Sequence, residues 1–178
     1  VSGSIGFGVT RLADGALTSR WDRITTLAMK ELYGTLPYQL IKNYRAMFLE
    51  LAAGRTPLAF HCSAGKDRTG IATGLVLTAL GIPRSTILAD YALSDQIVNY
   101  EAAAIKDAAK PQQRPYDFIA RLPAEIRAPM LRSDLAYLDA AFQALEKNEG
   151  TVLGFVRKRL GIEDAAISAM REALLERV

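Results

Sequence analysis

His61-Cys62-Ser63-Ala64-Gly65-Lys66-Asp67-Arg68-Thr69-Gly70 follows a short apolar run, Pro57-Leu58-Ala59-Phe60, and leads into a longer one where Ile71, Ala72, Leu75, Val76 and Leu80 recur at helical spacing. The four-residue run, bounded by Gly54 and Pro57, is too short for a helix and predicts a buried strand. The longer run predicts a helix stopped by Gly81 and Pro83. Strand, small-residue loop and helix in that order turn a row of backbone N–H groups and the positive end of a helix toward one concave surface. Such a surface suits an anion of phosphate size.

The single cysteine of the chain, Cys62, opens this cradle. A thiol there loses its proton readily, because the helix terminus and the nearby Lys66 and Arg68 stabilise the thiolate, and a thiolate is a nucleophile at neutral pH. Arg68, six positions on, can fold back and grip two phosphate oxygens with its planar fork. The amides of Ser63, Ala64 and Gly65 complete the anion site, and Thr69 can hydrogen-bond the sulfur when it leaves. Lys66 adds a second cation at the loop rim. His61, the one histidine, is expected to hydrogen-bond the loop backbone rather than to act as a base. No metal or cofactor is needed for phosphoryl transfer by these parts, which work by positioning and charge neutralisation.

The pattern His-Cys, five residues, Arg-Thr between strand and helix resembles the signature loop of the protein tyrosine phosphatase superfamily. The full form His-Cys-Ser-Ala-Gly-Lys-Asp-Arg-Thr-Gly is similar to a bacterial and fungal group with Lys-Asp before the Arg, whose members act on phosphoproteins and phosphoinositides. Asp90-Tyr91-Ala92-Leu93-Ser94 and Met170-Arg171-Glu172-Ala173-Leu174-Leu175 also resemble that group, so the likeness covers roughly residues 38–178. It implies an α/β fold of the phosphotyrosine-phosphatase type, a small and mostly parallel sheet flanked by helices, with a helical C-terminal third. It further implies phosphomonoester hydrolysis through a cysteinyl phosphate: Cys62 attacks, Arg68 binds oxyanions, and Asp67 matches the position given the role of general acid, its competing role being to hold the loop through hydrogen bonds to backbone N–H groups. Asp22, some tens of residues before Cys62, is the competing acid. Lys66 makes the loop similar to those of phosphoinositide phosphatases.

Two other readings share the chemistry of a thiolate in an anion loop. One is a sulfurtransferase or arsenate reductase, against which stand the Arg-Thr-Gly ending and the lack of a second cysteine to resolve a disulfide. The other is a catalytically inactive phosphate-binding module, against which the intact Cys62 and Arg68 argue.

With 178 residues, half of them hydrophobic and 23% charged, the chain has the size and balance of one globular domain, 1–178. The net charge of +3 favours anionic substrates, a phosphorylated protein or a phosphoinositide, without calling for nucleic acid. A lone cysteine excludes an internal disulfide framework and predicts a cytoplasmic setting, or a secreted one if a leader has been removed upstream of Val1. No apolar run is long enough to predict a membrane span.

Residues 1–20, with four glycines and little periodicity, read as a loop or a poorly ordered arm. The early sheet segment of the resembling family is not visible there, so it is either supplied by residues outside this sequence or reduced. A helix over 21–33 is expected to turn Trp21, Ile24, Leu27, Ala28 and Leu32 inward and to stop at Gly34. A second, over 38–53, presents Leu40, Ile41, Tyr44, Met47, Phe48 and Leu51. After Pro83 a helix carries Ile87, Leu88 and Tyr91 inward, with Ile97 and Val98 as further candidates. Four of the seven prolines fall within 110–130, where either a plain connection or a lid over the site is expected. Three helices then follow: one capped by Ser133 with Leu135, Leu138, Phe142 and Leu145 inward, one through Val152–Leu160, and one capped by Asp164.

Overall fold

The computed structural model describes residues 9–11, 17–108 and 117–175. Among the described residues two strands, β1 (Val9–Arg11) and β2 (Leu17–Ser19), precede nine helices: α1 (Arg20–Gln39), α2 (Ile41–Ala52), α3 (Asp67–Leu80), α4 (Arg84–Ile97), α5 (Tyr100–Ala108), α6 (Ala124–Leu131), α7 (Leu135–Glu149), α8 (Val152–Lys158) and α9 (Asp164–Leu174). A 3-10 turn, Asp117–Arg121, precedes α6. The chain divides into two compact units, one of Val1–Met29 and Asp95–Arg132, the other of Lys30–Ser94 and Ser133–Val178. No helix among the described residues is long and apolar enough to cross a membrane.

The expected α/β architecture is not found. Among the described residues the one sheet is the antiparallel pair β1–β2, with Val9 opposite Ser19 and Arg11 opposite Leu17. Pro57-Leu58-Ala59-Phe60 enters the loop without a ladder partner, and Ala59 and Phe60 are exposed. A parallel strand depends on neighbours for its amides and on helices to cover both faces. Among the described residues no strand pairs with 57–60, and the apolar surface of this unit is buried between helices instead.

In the unit carrying the loop, α3 is the central element, packing against α7, α8 and α9. Ile71 and Leu75 are fully buried on it, facing a core that includes Phe48, Leu138, Phe142, Leu145, Phe155 and Leu160. Gly74 lets α7 come close, since a Cβ there would lie 3.0 Å from the ring of Phe142. Gly81 adopts a left-handed conformation (φ +90°) that ends α3, and Ile82 N–H donates to the Leu77 carbonyl. From α9, Arg171 Nε donates to the Ala79 carbonyl at 2.8 Å, which meets the negative end of the α3 dipole with a cation.

Several expected faces and caps differ. Gly34 does not stop α1, which continues through Pro37 to Gln39; the glycine instead faces Ala144 of α7, whose Cβ would sit 3.5 Å from an added methyl. The inward ridge of α1 is Thr25, Met29, Tyr33 and Leu36, and the predicted ridge of Trp21, Ile24, Leu27 and Leu32 is exposed. On α4, Ile87 and Tyr91 are buried as expected, while Ile97 is 80% exposed. The cap of α7 is Asp134, which accepts from Ala136 N–H, not Ser133, and Leu135 is exposed. Glu163 precedes α9, and Asp164 within its first turn pairs with Arg157 at 2.7 Å.

In the other unit α5 packs along the 3-10 turn. Arg127 of α6 holds this corner by donating to Glu101 Oε1 at 2.5 Å and to the Leu122 carbonyl at 2.9 Å. Arg132 donates to both Asp22 oxygens, at 3.1 and 3.2 Å, and to Thr26 Oγ1 at 3.1 Å. Asp22 is therefore engaged in an ion pair. Of the stretch expected to be a connection or a lid, residues 110–116 lie outside the described residues.

Candidate active site

The loop places Cys62 half-buried just ahead of α3, whose first turn closes with Gly70 N–H donating to the Lys66 carbonyl at 2.7 Å. Gly65, at φ +70°, supplies the left-handed residue that turns the chain back toward the helix. Burial alone pushes the Cys62 thiol up, but hydrogen bonds from the Thr69 hydroxyl and from the Thr69, Ala64 and Gly65 amides outweigh it and bring it down to about 7. The buried Thr69 hydroxyl engages no oxygen or nitrogen and is left to the sulfur. These convergent donors stabilise negative charge at one point, and the expected contributions of Lys66 and Arg68 are not among its main causes.

Arg68 folds back over the loop, its Nη2 donating to Ser63 Oγ at 2.5 Å. Its carbonyl accepts from the Tyr44 hydroxyl of α2 at 3.1 Å, which fixes the start of α3 from below. Burial, and then the charge of Cys62, pushes Tyr44 above the usual phenol range against the lowering effect of Arg68, so Tyr44 stays a neutral donor. His61 is exposed, with Nδ1 3.3 Å from the Cys62 carbonyl.

Lys66 and Asp67 engage each other and, through Asp67, α1. Lys66 is only 3% exposed, rather than standing at the rim, and its Nζ lies 2.6 Å from Asp67 Oδ1. The same oxygen accepts from the Tyr33 hydroxyl of α1 at 2.6 Å, and the Tyr33 and Tyr91 hydroxyls are 2.5 Å apart. Burial, then the neighbouring Asp67 and Tyr91, pushes Tyr33 far above the usual phenol range. The ring of Tyr91 meets α3 edge-on at Gly70, where a Cβ would come within 2.6 Å of it. A cavity of about 90 Å³ opens on this inner side, lined by Lys66, Thr69, Thr73, Asp90, Tyr91 and Ser94 among others, with Cys62 not in its wall.

The structure thus brings Thr69, Ala64 and Gly65 to the sulfur of Cys62 and Arg68 to Ser63 on the same loop, and it sets buried Lys66 and partly exposed Asp67 in a polar cluster with Tyr33 and Tyr91. Tyr33, Tyr44 and Tyr91 are the residues that sequence reasoning did not assign to the site. Tyr44 and Tyr91 fell on inward helical faces and were read as core. The signal was there in the hydroxyl each must satisfy when buried.

Among curated proteins, the chain is 34% identical over 140 residues to a Cupriavidus necator protein named as a tyrosine-protein phosphatase, covering 78% of this chain and 48% of the relative. It is 36% identical over 128 residues to the triple specificity protein phosphatase PtpB of Mycobacterium tuberculosis, covering 70% and 46%. A tyrosine-protein phosphatase of Nostoc commune matches over 86 residues at 36% identity. The chain spans about half the length of the first two relatives. The sequence profile of the tyrosine phosphatase family matches residues 14–176, nearly the whole chain including the loop and its supporting tyrosines, and the chain belongs to that family.

Proposed function

We propose that this chain hydrolyses phosphomonoesters through a cysteinyl-phosphate intermediate. The observation that carries the reading is a half-buried thiol brought to about 7 by donors that converge on it, under an arginine folded over the same loop. The Cys62 thiolate attacks phosphorus as the bond to the leaving oxygen breaks, and that oxygen takes a proton from Asp67. Water, giving its proton to Asp67, then attacks the cysteinyl phosphate; inorganic phosphate leaves and the thiolate is restored. Arg68 and the amides of Ser63, Ala64 and Gly65 hold the equatorial oxygens, and Thr69 donates to the departing sulfur. Lys66, being buried against Asp67, acts through that carboxylate and through the positive potential it adds beneath the loop.

Phosphotyrosine is the substrate class most directly supported by family membership. Phosphoserine, phosphothreonine and phosphoinositides are included in the proposal, and the printed name of the mycobacterial relative, a triple specificity phosphatase, supports a range wider than one amino acid. Parallel turnover of phosphotyrosine peptide, phosphoserine peptide and phosphoinositide vesicles measures that range. Acid quenching during turnover of a labelled aryl phosphate is expected to trap one phosphate on Cys62. Turnover with no phosphocysteine would reject the covalent route, and no phosphate release at all would favour an inactive binding module.

A further inference from the structure

The buried cluster behind the loop has a direction that its distances alone do not state. Lys66 Nζ has only protons to give, so Asp67 Oδ1, 2.6 Å from it, is an acceptor. The Tyr33 hydroxyl meets that same oxygen and must donate to it. A phenol has one proton, so at the 2.5 Å contact Tyr33 can only accept, and Tyr91 is the donor. The order is therefore Tyr91 O–H to Tyr33 O–H to Asp67 Oδ1, and any proton that Asp67 carries sits on Oδ2.

We infer that Tyr33 and Tyr91 are positioning residues for the Asp67 carboxyl: their hydroxyls form a one-way relay from α4 through α1 that holds Oδ1 and leaves Oδ2 to exchange the proton with the leaving group. The inference rests on the proposed role of Asp67 as general acid. It explains why a tyrosine follows Asp90 on α4 and why α3 has glycine at position 70, since the Tyr91 ring occupies the space a Cβ would take. It also explains how the hydroxyls of two buried phenols, Tyr33 and Tyr91, are satisfied in this core. The polar and ring groups facing Tyr33 are Lys66 and Asp67 from the loop and α3, Tyr91 from α4 and the Tyr137 ring of α7, 5.6 Å away between centroids; Asp90 shares the adjoining cavity.

The test compares phenyl phosphate, whose leaving group needs a proton, with p-nitrophenyl phosphate, whose leaving group hardly does. The ratio of the two kcat/KM values within one preparation is independent of the folded fraction, so partial misfolding does not mask the result. Asp67→Asn is expected to lower the phenyl rate about 100-fold more than the nitrophenyl rate, the order of general-acid contributions. Tyr33→Phe keeps the ring and is expected to lower it about tenfold more, as loss of one charge-assisted hydrogen bond does, with KM for phenyl phosphate held within about twofold. Tyr91→Phe gives a smaller selective loss, and adding it to Tyr33→Phe costs nothing further in the ratio because the relay is already cut. If Asp67→Asn is selective but Tyr33→Phe slows both substrates alike, the relay is wrong and the acid stands. If Tyr91→Phe is as costly in the Tyr33→Phe background as in wild type, the one-way order is wrong. If Asp67→Asn shows no selectivity, the acid assignment and the relay fall together.

Discussion

On its outer side the loop surrounds Cys62 with the amides of Ala64, Gly65 and Thr69 and the hydroxyl of Thr69, all from one short stretch of chain. On its inner side Lys66 and Asp67 are met by Tyr33, 34 positions from Asp67, and Tyr33 in turn meets Tyr91, 58 positions away. The outer side is made of backbone and works as soon as the loop closes on its own helix. The inner side is made of side chains from three helices and exists only once the unit has folded. Charge stabilisation at the sulfur is thus a local property, whereas orientation of the carboxylate is a tertiary one.

The two sides should fail differently when damaged. Cys62→Ser removes the proposed nucleophile while keeping the loop, and turnover is expected to fall below about 1% of wild type with phosphate binding retained. Retained activity in a stopped assay, or lost phosphate protection of the fold, would show that the outer side does not work as described. Arg68→Lys keeps the charge but loses the fork that reaches Ser63, and kcat/KM is expected to drop about 100-fold, the order of two charge-assisted hydrogen bonds. A drop of only a few fold would mean that charge alone suffices there.

Damage to the inner side should be read first in stability. Gly70→Ala sets a methyl within 2.6 Å of the Tyr91 ring and is expected to destabilise the unit by about 1–3 kcal/mol, lowering Tm by about 2–4 °C per kcal/mol in a chain of this size. Calorimetry of this variant beside Tyr91→Ala/Gly70→Ala checks the cause, because emptying the ring's place should remove the clash. The smallest effect belongs to the thiol's own titration. Cys62 ionises at about 7 in the folded chain against 9.0 for an unperturbed thiol. The unfolded chain therefore binds more protons between those values, and stability from this group grows as pH rises through that window, is complete above it and is lost as pH falls through about 7. Urea midpoints of wild type should gain on those of Cys62→Ser from pH 7 to 9, and parallel curves would place the thiolate outside the reach of its donors.

What could be read from the sequence follows the same division. The offset from Cys62 to Arg68 and the small residues between them specify a cradle without reference to the rest of the chain, and the helix after it was legible from Ile71 to Gly81. The four apolar residues before it were not decisive. A run that short fits a buried strand or an extended lead-in equally well, and only a ladder partner, absent for 57–60 among the described residues, tells them apart. The inward face of α1 was misread because Thr25 and Tyr33 carry hydroxyls and rank low in an apolar count, although Tyr33 is completely buried and bonded to Asp67. Lys66 was expected at the surface for the same reason, since a lysine is buried only when a partner such as Asp67 is already in place. Asp134 took the cap from Ser133 by one residue, a margin that spacing alone does not resolve.

Arg171 gives α3 a second function beyond packing. With its guanidinium on the Ala79 carbonyl, one terminus of the helix is held by a cation, while in the proposed reaction the other terminus meets a dianion only when phosphate is bound. Occupancy of the cradle thus completes a row of charge and dipole along the central helix. Amide hydrogens of α3, as far from the loop as Ala79, are expected to exchange with deuterium more slowly in saturating phosphate than without it. In an Arg171→Met chain that protection at the far end should shrink, which would make deuterium uptake at one end of α3 a gauge of what is bound at the other.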